Sequence, residues 1–231
     1  MRNPSVGEIL ARALAYPYQA APASFLLVGG EARGLEGPPE LTGRRPLLCY
    51  GANAAPAILA RKLAPLAELP LPVLRAELTG FDVVYSAHIS PYGAVPATLQ
   101  RSAATRARVF VAYPAGPQEE LLTATEPNYR LHRLRGLELA VDAVDELREA
   151  HAYLSRHGCL ALEGSEVALA AVASAGRTLP ALEQVEVLER VRRHLAPEVE
   201  LEAFVAASLD PRLASARTAA LRARARPLKP P

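Results

Sequence analysis

The chain has 231 residues, half of them hydrophobic and 22% charged, with a formal charge of +2. That length is enough to bury roughly 70–75% of the unfolded surface in a core, and a charge this close to balance gives no footprint for nucleic acid as the main partner. Two cysteines, Cys49 and Cys159, cannot build a disulfide framework, and neither has a metal-like neighbour at short spacing.

Ile9, Leu10 and Leu14 recur at helical spacing behind Ser5, which predicts a helix over 6–15 with Ser5 as its N-cap. Residues 24–28 read as a strand ending at Gly29-Gly30, and 31–45 as a surface loop rich in Gly, Pro and charge. A strand over 46–50 and a helix over 55–63 follow. Extended segments are expected over 72–78, 82–89 and 95–100. The stretch 106–113 is the cleanest strand, with both faces apolar. Gly116-Pro117 open a short helix over 118–125, and 129–134 alternates as another strand.

Beyond Val141 the pattern turns mostly helical, apart from a strand over 158–162. Pro180 precedes a helix whose stripe is expected to run through Leu182, Val185, Leu188, Val191 and Leu195. Segments 201–209 and 212–224 are also helical in pattern. A β-rich centre flanked by helices argues for an α+β fold. Three parts are expected: 1–43 packing on the core, the core over 44–140, and a mostly helical extension over 141–231. The N-terminus lacks the apolar centre of a signal peptide, and no apolar run approaches a membrane span, so a cytoplasmic location is expected.

The most informative stretch is Pro46 to Asn53, where an apolar run ends at Tyr50-Gly51-Ala52-Asn53 and a helix opens at once. Glycine permits positive φ and close approach of a ligand, and a first helical turn leaves backbone N–H groups unpaired. Downstream, Glu126 precedes Pro127, which ends the short helix before it. A buried carboxylate at the negative end of a helix dipole is in a setting that suits general acid/base work.

These pieces, with Gly80-Phe81-Asp82, the run Tyr92 to Thr98, the strand Val109 to Tyr113 and Glu126-Pro127-Asn128-Tyr129, resemble the gamma-glutamylcyclotransferase-like superfamily over about residues 46–135. The resemblance implies a compact mixed β-barrel with flanking helices. It also implies that Tyr50, Gly51, Ala52 and Asn53 bind a γ-glutamyl group, and that Glu126 is the acid/base. Tyr129 is a further candidate for the pocket wall. Ala52 stands where the family loop usually carries serine, and Thr123-Ala124-Thr125 and Pro127 flank Glu126 in place of the usual Leu-Asp and Gly.

The activity so implied is release of 5-oxoproline from a γ-glutamyl amine or peptide, with no metal or organic cofactor and no membrane or nucleic-acid partner. A second possibility is a non-catalytic member of the same fold that binds a small acidic ligand or a protein. A third is an interaction protein acting through the basic residues Arg212, Arg217, Arg222, Arg224, Arg226 and Lys229. His88 is expected to be a hydrogen-bonded core histidine, and His157 with Cys159 a weak candidate for thiol chemistry.

Overall fold

The computed structural model describes residues 5–229. The fold is α+β: a closed five-stranded mixed β-barrel with six α-helices around it among the described residues. The early strands are β1 (Phe25–Val28), β2 (Glu31–Gly34) and β3 (Leu47–Cys49). Longer ones follow: β4 (Leu71–Tyr85), β5 (Ala97–Ala112), β6 (Tyr129–Val141) and β7 (Leu147–Ser155). The barrel runs β4–β5–β3–β7–β6 and closes back on β4. β3 and β7 run parallel, with Leu48 opposite Ala152, and the other barrel pairs are antiparallel.

Side chains alternate across a strand, so each barrel strand offers two faces. Leu48, Leu74, Val109 and Val111 share one apolar cluster. Their neighbours Leu47, Cys49, Val73, Phe110 and Ala112 join a second. The helices α2 (Pro56–Lys62) and α3 (Gly116–Ala124) supply Leu59 and Leu122 to that second cluster. This is why 106–113 reads as apolar on both sides.

The segments 72–78 and 82–89 are largely one strand rather than two. β4 is bent by a register shift between Thr79 and Phe81, where Gly80 takes a φ of +81°. Only glycine enters that region without strain. Likewise most of 95–100 and 106–113 belongs to the single strand β5, whose middle, 101–104, is largely exposed. Part of the expected loop 31–45 is β2, which pairs with β1 around Gly29-Gly30. β7 lies in the stretch expected to be mostly helical, and closes the barrel against β3 and β6.

Helix α1 (Val6–Leu14) begins at Ser5, whose Oγ accepts from the Glu8 N–H while the Glu8 carboxylate accepts from the Ser5 N–H. This reciprocal cap satisfies two otherwise unpaired donors. α1 packs on α5 (Leu201–Ala207). Helix α4 (Gln184–Leu195) buries Val187, Leu188 and Val191, whereas Val185 is 43% exposed, so the stripe is rotated from the expected one. α6 (Pro211–Arg222) is capped by Asp210, which accepts from the N–H groups of Arg212 and Leu213. No helix among the described residues is long and apolar enough to cross a membrane.

Candidate active site

Close to where β3, β4 and β7 end and β5 and β6 begin, the fold leaves a cavity of about 720 Å³. That is within the usual size of a small-molecule site, roughly 300–1,000 Å³. Tyr50, Gly51, Ala52, Asn53, Glu126 and Tyr129 all line it. The two stretches that carry them, separated by more than seventy residues, meet in a direct hydrogen bond from Asn53 Nδ2 to Glu126 Oε1, 3.0 Å.

β3 delivers the chain into the turn, and Ala52–Ala54 form a short 3-10 helix just before α2. Its first hydrogen bond runs from the Ala54 N–H to the Gly51 carbonyl, so the N–H groups of Ala52 and Asn53 precede the ladder. Gly51 does not use positive φ; its φ is −129°. Its role is close approach: a Cβ here would lie 2.5 Å from the Tyr16 hydroxyl. That hydroxyl is held in place because it accepts from the Ala97 N–H at 2.7 Å.

α3 ends at Ala124 with Thr125 as its C-cap, and Glu126 follows with its side chain 14% exposed. Sequence reading missed its main partner. Lys62, the last residue of α2, places Nζ 2.5 Å from Glu126 Oε1 and 2.8 Å from Asn53 Oδ1. Lysine, asparagine and glutamate thus close a hydrogen-bonded triangle on the cavity wall. One compositional signal was available: Lys62 is one of only two lysines in a chain with 26 basic residues. A chain that uses arginine almost everywhere carries a compact ammonium at this position.

The tyrosines serve chiefly as walls. Tyr50 donates its hydroxyl to the Tyr153 carbonyl, and Tyr129 donates to the Ala97 carbonyl at 2.9 Å. Burial pushes the Tyr50 and Tyr129 hydroxyls well above the usual phenol range, so both stay protonated at neutral pH. Tyr16, Tyr18 and Tyr92 complete an aromatic side, with ring centroids 6.2 Å apart along the series. The Arg12 guanidinium lies 5.2 Å from the centre of the Tyr92 ring.

His88 also lines the cavity, and its Nδ1 meets Ser86 Oγ at 2.7 Å. Burial, helped by the neighbouring His157, lowers its pKa to about 3. It is therefore a neutral imidazole and a poor base for an ammonium substrate. Among the described residues, the charged groups lining the cavity are Arg12, Arg61 and Lys62 against the single carboxylate Glu126. This excess of positive charge favours an anionic ligand.

The rival candidates come apart. Cys159 is fully buried and burial pushes its thiol up to about 12, far from a reactive thiolate. His157 turns Nε2 to Asn128 Oδ1 at 3.2 Å. The basic tail is no continuous stripe: Arg217 is buried, donates to the Phe204 carbonyl and Ser208 Oγ, and lies over the Phe204 ring. Arg226 donates to the Gly164 carbonyl. No protein-family model matches the chain, and no curated protein matches it significantly.

Proposed function

We infer that the protein is a gamma-glutamylcyclotransferase-like enzyme that releases 5-oxoproline from a γ-glutamyl amine or peptide. The observation carrying this reading is the meeting of the Tyr50–Asn53 turn and Glu126 in one cavity, joined by the Asn53–Glu126 hydrogen bond. Net positive charge around that single carboxylate suits a ligand bearing a carboxylate of its own.

In the reaction, Glu126 takes a proton from the substrate's α-ammonium, because only the free amine is a nucleophile. The amine attacks the γ-carbonyl carbon, and a C–N bond closes the five-membered ring. The tetrahedral oxyanion is held by N–H groups of the Ala52–Asn53 turn. Collapse breaks the original C–N bond as Glu126 returns its proton to the departing nitrogen, and the ring nitrogen then gives its second proton, through the freed carboxylate, to the released amine. The products are 5-oxoproline and an ammonium, with no net gain or loss of protons. Holding a flexible γ-glutamyl chain in the ring-closing pose supplies much of the remaining acceleration.

Incubation with a panel of γ-glutamyl amines and dipeptides, followed by chromatography for 5-oxoproline, tests the reading. Release from at least one compound is expected. A panel that raises the melting temperature without forming product would instead favour a non-catalytic binding protein.

A further inference from the structure

The Lys62–Asn53–Glu126 triangle leaves a specific set of polar groups unused. An ammonium carries three N–H donors and a carboxylate two acceptor oxygens. Lys62 spends two donors, on Asn53 Oδ1 and Glu126 Oε1. Asn53 spends one of its two amide N–H groups on the same Oε1. One ammonium N–H, one amide N–H and the oxygen Glu126 Oε2 remain without a protein partner among the described residues, on side chains that line the cavity. That remainder is two donors beside one anionic acceptor.

We propose that Lys62 binds the α-carboxylate of the ligand while Glu126 Oε2 takes its α-ammonium, so the ion pair reads the zwitterionic head of an α-amino acid. This rests on the cyclising reaction inferred above and assigns the group that selects its substrates. A zwitterion laid against an ion pair puts each charge next to its opposite. Neither protein charge has to give up its existing partner. With both side chains about 85% buried, such contacts are shielded from water and stronger than at an open surface. Lysine fits better than arginine, because a point charge can reach two protein acceptors and a ligand oxygen from one atom. The exposed Arg12, beside the Tyr92 ring, and Arg61 also line the cavity, where they can read the departing part of the substrate.

The test pairs a substitution in the protein with a deletion in the substrate. Wild type, Lys62→Met and Lys62→Arg are assayed on a γ-glutamyl amide and on the 4-aminobutyryl amide of the same amine, which lacks only the α-carboxylate. Lys62→Met should lower kcat/KM for the γ-glutamyl compound about 10- to 100-fold, chiefly through KM. Because Lys62 also holds Glu126, the 4-aminobutyryl compound should lose rate too, but clearly less, so the preference collapses. Lys62→Arg should restore part of it. An equal loss on both compounds would mean that Lys62 merely supports Glu126, and would overturn the assignment. If wild type turns over neither compound, the cyclising reaction falls, yet Lys62 is still decided by calorimetry with L-glutamine and 4-aminobutanamide. Discrimination between these two by wild type but not by Lys62→Met upholds the proposal, and no discrimination by wild type overturns it.

Discussion

Replacing Glu126 by glutamine is expected to cut the rate of 5-oxoproline release by about 10²–10⁴-fold while leaving the protein folded. Glutamine has nearly the same shape, and its carbonyl oxygen can still accept from Lys62 Nζ and Asn53 Nδ2, which converge on Oε1 in the wild type. What it lacks is the ability to carry a proton between the α-amine and the departing nitrogen. No other lining group takes over: the buried tyrosines stay protonated, and His88 titrates near pH 3. Exchanging charge-assisted bonds for neutral ones costs about 1–2 kcal/mol. For a chain of this length the melting temperature should therefore fall by only ~2–8 °C. A variant that retains full activity would remove Glu126 from the chemistry.

The largest effect on stability is expected far from the cavity, at Arg177→Ala. Asp82 is fully buried on β4, and Arg177 grips it with Nε 2.9 Å from Oδ2 and Nη2 2.9 Å from Oδ1. The same guanidinium donates to the Val172 carbonyl and Ser174 Oγ, tying the segment 172–177 to the barrel. Without Arg177, among the described residues only the Val83 N–H at 2.8 Å remains to an enclosed carboxylate. Breaking one side of a buried pair costs about 3–5 kcal/mol, which corresponds to ~6–20 °C in melting temperature here. The double substitution Asp82→Ala with Arg177→Ala should recover part of that loss, because no orphaned charge is left. A single variant that melts with the wild type would contradict the ledger of this pair.

Much of the barrel was legible because strand periodicity survives where both faces are apolar. Val109, Phe110 and Val111 advertise a strand whatever packs on them. β7 was not legible, because its buried positions include Ala150 and Ala152, whose small side chains and helical preference mask the alternation. The joins within β4 and β5 were missed for a different reason. A glycine bend and the unpaired stretch 102–105 opposite it look like loops, although the ladder resumes on either side of them.

At the site, the turn was readable but its glycine was misjudged. The φ of Gly51 is ordinary, and the constraint comes from Tyr16, whose approach depends on α1 folding over the barrel. No local pattern encodes such a contact. Glu126 could be found because Pro127 fixes where its helix stops. Lys62 required knowing that the C-terminal end of α2 and the C-terminal end of α3 reach the same wall, which only the tertiary structure supplies.

The account stands or falls on what occupies the cavity. A crystal structure of the protein soaked with 5-oxoproline measures that directly. The ring is expected between the Ala52–Asn53 turn and Glu126, with its carboxylate within hydrogen-bonding distance of Lys62 Nζ and its lactam nitrogen facing the Glu126 carboxylate. A ring seated elsewhere on the protein, or an empty cavity at saturating 5-oxoproline, would contradict it.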